Sequence, residues 1–167
     1  TAKAFRDQEG LGNKKFKEEM HQYYETSSLK EIEVIYNGSA KAEGDKRTAA
    51  DSYMSFVQDF PKAKKADLAV NIAAVYYYEL KDTKKMMNSR HYLIENYPKS
   101  DKYVENVAQL GFAYESIAKF SEAAEWYEKL FALDKDYELS KNALFRAGIF
   151  RESLGDYEQA IKNREEY

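Results

Sequence analysis

Residues 104–134 read VENVAQLGFAYESIAKFSEAAEWYEKLFALD, two amphipathic stretches separated by a polar break. The apolar and small residues of each stretch recur at intervals of three and four, which is the spacing of one face of an α-helix. They are Val107, Leu110, Gly111 and Tyr114 in the first stretch and Ala123, Tyr127, Leu130 and Phe131 in the second. The segment is therefore predicted to form a helical hairpin, which needs a neighbouring hairpin to bury its apolar faces.

The same pattern returns every 37 residues along the chain. At this period Pro61 aligns with Pro98, and Ala49 aligns with Ala123 and Ala160. Self-similarity at such a period indicates a solenoid, and it favours an interaction scaffold over an enzyme. We predict a single array over residues 1–167. Residues 1–29 are predicted to be the second helix of a preceding repeat. Three repeats follow, at 30–66, 67–103 and 104–140, and residues 141–167 form a truncated fourth repeat.

Composition excludes several classes of protein. Hydrophobic residues make up 44% of the chain, which indicates a folded domain rather than disorder. The net charge of −3 gives no overall positive field that would attract nucleic acid or anionic lipid. The absence of cysteine excludes disulfides, and no apolar run approaches the roughly 18 residues of a membrane span. Because the chain begins with Thr1 and ends in a helical pattern, we expect both ends to be cut from something longer.

The hairpin pattern resembles the tetratricopeptide repeat, which reads large-x2-Leu-Gly-x2-Tyr on the first helix, Ala-x3-aromatic on the second, and then Pro. Residues 104–140 match it closely, with Lys135 at the place of the proline. The fourth repeat keeps Gly148 and Ala160 but has Arg151 and Arg164 where aromatic residues are usual. The resemblance implies an all-α fold, a right-handed superhelix of antiparallel helical hairpins.

Steric requirements explain the small residues of the pattern. We expect Gly111 and Gly148 where the two helices of a hairpin cross most closely, with Ala123 and Ala160 facing them. A tetratricopeptide unit has about 34 residues, so the period of 37 implies an extra helical turn in each repeat. We place it after the prolines, in residues 62–66 and 99–103.

The closures around the prolines suggest a cellular setting. Asp59-Phe60-Pro61-Lys62 and Asn96-Tyr97-Pro98-Lys99-Ser100 resemble the aromatic-Pro-x-Ser closures of bacterial envelope repeat proteins of the BamD and YbgF type. This resemblance implies a periplasmic or cell-envelope location. A cytoplasmic location stays open, because a chain without disulfides can work in either compartment.

The family's concave groove predicts the binding site. Carried onto this chain, the second, fifth, ninth and twelfth positions of each first helix are Leu68, Asn71, Val75, Tyr78, Glu105, Ala108, Phe112, Glu115, Asn142, Phe145, Ile149 and Glu152. This surface is apolar with an acidic edge, and residues 101–167 carry 9 basic against 14 acidic groups. We therefore predict that the partner is a protein or peptide with apolar anchors and a basic flank.

Two other interpretations stay open. The groove residues could pack against neighbouring repeats, against a capping helix or against a second copy, which would make the chain structural or self-associating. The chain could also be the regulatory domain of a longer enzyme. The oligomeric state is not predicted.

Other kinds of site are not supported by the residues. Glu18 and His21 have the Glu-x-x-His spacing of one half of a carboxylate-bridged di-iron site, but the second half is missing, because Asn88 stands where His91 would need its acidic partner. Both histidines are therefore expected at the surface, and no metal or cofactor is predicted. Tyr76, Tyr77 and Tyr78 diverge by about 100° per residue on a helix, so they do not form one base-stacking platform. No catalytic motif is present, and we predict no nucleic-acid partner.

Overall fold

The helices follow the apolar pattern of the sequence and leave both prolines in connections. The computed structural model describes residues 14–39 and 43–167, with side chains at 18–30, at 32 and from 45 onward. Residues 1–13 of the predicted N-terminal segment lie outside the described residues. Within this part of the chain there are eight helices and no strand: α1 Lys14–Ser39, α2 Glu43–Asp59, α3 Ala66–Glu79, α4 Thr83–Asn96, α5 Tyr103–Ser116, α6 Phe120–Leu133, α7 Ser140–Ser153 and α8 Tyr157–Glu166.

The chain forms two compact units, Thr1–Leu80 and Lys81–Tyr167. In the first unit α2 packs against α1 and α3. In the second unit each helix from α4 to α8 packs against the next, and α5 also contacts α7. The predicted all-α helical-repeat fold is confirmed, because successive helices within each unit cover one another through the apolar stripes of the sequence.

Helix α1 continues without a break through residues 29 and 30, where the sequence places a repeat boundary. No proline or glycine occurs between Lys14 and Asn37, so nothing in this stretch ends a helix. Glu25 attaches α1 to the rest of its unit by accepting a hydrogen bond from the backbone N–H of Lys64 at 3.2 Å. The boundary between repeats at this place stays a prediction.

The residues that lengthen each repeat lie between helices, and the prediction that they form an extra helical turn is wrong. They form two consecutive hydrogen-bonded turns, closed by backbone bonds that recur 37 residues apart. The donors are the N–H groups of Ala63 and Ala66, of Ser100 and Tyr103, and of Tyr137 and Ser140. The third copy lacks the proline. There the Asp134 carboxylate accepts hydrogen bonds from the N–H groups of Asp136 and Tyr137, each at 3.0 Å, and holds the same turn.

A second recurring feature follows the ends of α3, α5 and α7. Lys81, Ala118 and Gly155 have φ values of 56°, 59° and 82°, and they are 37 residues apart. A residue in this left-handed region stops a helix and lets its last carbonyls accept hydrogen bonds. Gly155 adopts the conformation without strain, whereas the Cβ atoms of Lys81 and Ala118 make it less favourable.

The core of the second unit is centred on Tyr127 of α6, whose side chain is completely buried. Its ring lies against Gly111 of α5, where an added Cβ would overlap the ring and lie 2.5 Å from Cδ1. Gly148 of α7 is less crowded, since an added Cβ would have Asn163 Cβ at 3.6 Å as its nearest neighbour. The two glycines therefore have different packing requirements, although they are equivalent in the repeat.

We expect Gly111→Ala to lower the free energy of unfolding by roughly 1–3 kcal/mol, because the added methyl group would displace the buried Tyr127 ring within the core. Gly148→Ala is the matched control, and it is expected to leave stability unchanged or raise it by up to about 1 kcal/mol, the helix-propensity advantage of alanine. Urea denaturation followed by circular dichroism measures both. Equal stability of the two variants would contradict the close approach at Gly111.

Candidate concave surface

Four predicted groove residues lie on α5, where they take part in packing within the second unit. Ala108 is 0% exposed and belongs to the core formed with α6 and α7. Phe112 is half-buried, and its ring meets the Tyr127 ring edge-on at 5.5 Å. Glu105 and Glu115 are also half-buried. On α5 these positions therefore offer little apolar surface to a partner.

The equivalent residues on α7 are exposed. Phe145 is 47% exposed and Ile149 is 40% exposed, four residues apart on the same side of the helix. Asn142 and Glu152 extend this row in both directions and are exposed as well. The ring of Phe145 lies 5.4 Å from the ring of Tyr167, so two aromatic side chains lie together at this part of the row.

The members on α3 belong to the first unit and are mixed in character. Tyr78 is 65% exposed, Leu68 is exposed and Val75 is half-buried, whereas Asn71 is buried. The neighbouring Tyr76, which the sequence does not account for, is buried with its ring 6.3 Å from that of Tyr53. Leu68 and Tyr78 are thus the exposed apolar residues of this part of the predicted surface.

Each acidic residue of the predicted edge in the second unit has a cationic partner within the chain. Lys102 Nζ lies 3.2 Å from Glu105, Arg146 pairs with Glu115, and Arg164 pairs with Glu152. These arginines were not predicted to contact the site. The sequence does contain a signal, because Arg164 lies 37 residues after Tyr127, and Glu152 lies 37 residues after Glu115.

Tyr127 donates its hydroxyl hydrogen bond to Glu115, whose other oxygen pairs with Arg146. Burial raises the pKa of the Tyr127 hydroxyl, because the phenolate would lose its hydration in the core. The hydroxyl therefore stays protonated and acts as a donor over the physiological pH range. Glu115 is held in place by one contact from α6 and one from α7, so its role in this structure is to join three helices.

Arg151 of α7 stands where the repeat usually has an aromatic residue, and it forms a network of ion pairs there. Its Nε and Nη2 atoms donate to the two Glu128 carboxylate oxygens at 2.9 and 2.8 Å, a bidentate arrangement. Asn163 of α8 donates to the same carboxylate at 2.8 Å. The hydrogen bond with Glu128 raises the pKa of Arg151, although burial opposes it. The departure from the repeat pattern at Arg151 is thus compensated by polar contacts among α6, α7 and α8.

The residues with one half of a metal-site motif lie on α1 in the first unit. Glu18 and His21 are exposed on α1, and His21 meets the ring of Phe60 at 5.3 Å. Within residues 14–39 and 43–167, no three potential His, Asp or Glu ligands come together. No helix in the described segments is long and apolar enough to cross a membrane.

His91, on α4, is half-buried against α5 and α6. The prediction that it lies at the surface is therefore wrong. Its Nε2 shares a hydrogen bond of 2.9 Å with the Tyr114 hydroxyl, and its ring meets the Trp126 ring at 5.3 Å. Burial lowers the pKa of His91; Glu95 opposes this change, while Lys129 adds to it. The neutral imidazole is therefore favoured in the folded state.

We expect the free energy of unfolding to fall as the pH drops below about 6.5, because the unfolded chain then takes up a proton at His91 more readily than the folded chain does. This contribution is fully present above that pH. His91→Gln should reduce the dependence of the free energy of unfolding on pH below about pH 6.5. NMR titration of the His91 ring checks the cause directly, and a midpoint at or above the usual histidine value would contradict it.

Comparisons with known proteins identify the fold. A tetratricopeptide repeat protein from Parabacteroides merdae superposes on 82% of this chain with a TM-score of 0.60 and 16% sequence identity. This chain spans 51% of that protein's length. Two structures of MamA cover 88% and 89% of this chain, and 88% and 83% of their own, at 14% identity and TM-scores of 0.49. No protein-family model and no curated protein matches the sequence. The similarity to the structure from Parabacteroides merdae shows that the chain has the tetratricopeptide-repeat fold.

Proposed function

We propose that this chain, with its tetratricopeptide-repeat fold, is a protein-binding scaffold rather than an enzyme. The observation that carries the proposal is the row on α7, where Phe145 and Ile149 expose 47% and 40% of their surfaces on one helix face. Exposed apolar side chains in contiguous rows mark interaction sites in soluble proteins, because leaving them in water is unfavourable. Leu68 and Tyr78 supply a separate exposed apolar surface in the first unit.

The exposed row fits a peptide or helix that brings apolar anchors at one-turn spacing. Phe145 and Ile149 are four residues apart, about one turn of α7, so two anchors spaced by a helical turn or by two extended residues reach them. Burying each CH2 group contributes about 0.8 kcal/mol, so a few anchors give a weak to moderate affinity.

Basic residues of the chain itself compete with the partner's predicted basic flank for the acidic edge. Lys102, Arg146 and Arg164 already pair with the three glutamates of the acidic edge. A basic residue of the partner would replace one ion pair by another, and exposed pairs contribute roughly 0–1 kcal/mol. We therefore propose that apolar contacts supply most of the binding free energy and that affinity depends weakly on salt.

A second candidate function is structural. On α5 the predicted groove positions are used for packing, since Ala108 is buried and Phe112 contacts Tyr127. This observation favours a chain whose repeats stack on other elements through the same residues. The two functions predict different results for substitutions on α7: a peptide site predicts weaker peptide binding, whereas a packing surface predicts lost helicity or a changed oligomeric state.

The bacterial envelope is the setting that we propose, supported by the sequence around Pro61 and Pro98. Both prolines lie in the double turns that precede α3 and α5. Fractionation of the host cells with an antibody against the chain checks the location. Recovery of the chain from the cytoplasm would contradict this setting and leave the scaffold proposal intact.

We expect peptides selected from a random display library on the immobilised chain to bind Ile149→Ala or Tyr78→Ala about tenfold more weakly, because each change removes an exposed apolar anchor (~1.4 kcal/mol). Each peptide is expected to respond to one of the two variants. Leu133→Ala, which changes an exposed leucine outside the predicted surface, is the matched control and should bind normally. Fluorescence anisotropy with labelled peptides measures the affinities, and circular dichroism verifies folding.

Normal peptide binding by Ile149→Ala and Tyr78→Ala would contradict the proposed anchors. Loss of helicity or a changed oligomeric state in these variants, without any selectable peptide, would support the structural alternative. A binding affinity that falls steeply with salt would contradict the predominance of apolar contacts.

A further inference from the structure

Helix α8 presents an apolar face that the proposed peptide site does not use. Tyr157 and Ile161 are 64% and 57% exposed, and with Arg164 they follow the i, i+4, i+7 spacing of one helix face. Leu154, just before α8, is also exposed. On the adjacent side of the helix Ala160 and Asn163 are buried, which fixes the orientation of α8, and Ile161 stays exposed beside them.

The equivalent face of α6 is covered by a helix. Counting back 37 residues from Tyr157, Ile161 and Arg164 gives Phe120, Ala124 and Tyr127. Phe150 of α7 meets the rings of Phe120 and Tyr127 at 4.9 and 6.3 Å. Ala124 is 0% exposed in the core to which Ala143 and Ala147 of α7 also belong. The face that Ile161 occupies is thus, one repeat earlier, an interface for a helix.

The charges on α8 indicate which helix fits there. Glu158 and Arg164 lie three residues before and three residues after Ile161, and Tyr157 and Glu165 lie four residues to either side. When two copies of a helix cross antiparallel about a two-fold axis, each residue before the axis lies level with the residue equally far after it in the second copy. An axis at Ile161 therefore brings Glu158 level with Arg164 of the second copy, and Tyr157 level with Glu165.

We propose that the chain forms a two-fold symmetric dimer through α8, with Ile161 at the axis and α8 of a second copy on the face that α7 covers on α6. Apolar contact between Tyr157, Ile161 and their copies supplies the attraction. The opposite charges set the antiparallel direction, since a parallel arrangement would align like charges. Glu158 and Arg164 also pair within each chain, with Lys162 and Glu152, so the second copy adds a further partner of opposite charge to each of them.

Analytical ultracentrifugation of the whole chain over a concentration series tests this dimer. We expect a reversible monomer–dimer equilibrium for the unchanged chain. Ile161→Glu should raise the dissociation constant by roughly tenfold or more, because it places two carboxylates at the axis. Ile117→Glu is the matched control; it changes an exposed isoleucine on the connection between α5 and α6 and should dimerise normally.

The chain has no cysteine, so a single introduced thiol reports the register. On a two-fold axis a residue meets its own copy, so Ile161→Cys should oxidise rapidly to a disulfide-linked dimer, while Ile117→Cys should not. A chain that stays monomeric at all concentrations overturns the proposal. A dimer that survives Ile161→Glu, or in which the two cysteine variants cross-link at equal rates, overturns it as well. Peptide affinity measured on Ile161→Glu should be unchanged, so this proposal and the scaffold proposal fail independently.

Discussion

The contact between Tyr127 and Gly111 is the constraint on which the second unit depends. A ring can lie across α5 only where the helix has no Cβ, and this contact brings α6 close to α5. From that position the hydroxyl reaches Glu115, which Arg146 of α7 also contacts. Phe112 meets the same ring edge-on and Phe150 stacks on it. One aromatic side chain thus fixes the spacing of two helices and the place of the third.

Most of the fold is predictable from the sequence because the repeat is enforced by steric fit. The residues that the spacing places on one face of α5 and of α6 are buried, except for the half-buried Tyr114. Connections recur as well: the turns closed at Ser100 and Tyr137 have the same backbone hydrogen bonds, although only the first contains a proline. The sequence located these turns but not their form, because a count of extra residues does not distinguish a helical turn from two turns between helices.

Less of the candidate surface is predictable, because exposure depends on what covers a residue. Ala108 and Phe145 hold the same place in the repeat, yet the first is buried under α7 and the second is exposed. Similarly, the family positions identify Glu115 and Glu152 as an edge but not the arginines that pair with them. His91 shows the same limit, because its burial arises from Tyr114 and Trp126 on two other helices. Local pattern therefore predicts which way a side chain points, and tertiary packing decides what it meets.

The last hairpin, α7 and α8, departs from the repeat pattern at its outer surface. These departures favour a contact with a partner that differs from the packing of α7 on α5 and α6. Ala108 and Ala124 are small, which lets α7 approach α5 and α6 closely enough to exclude water. At the equivalent places the last hairpin has Phe145 and Ile161, and Arg164 replaces Tyr127. Larger side chains hold an approaching helix farther from the backbone, and a half-exposed arginine keeps part of the contact hydrated. We expect a contact of this kind to be smaller and wetter than the packing of α7 on α5 and α6, and therefore to form reversibly.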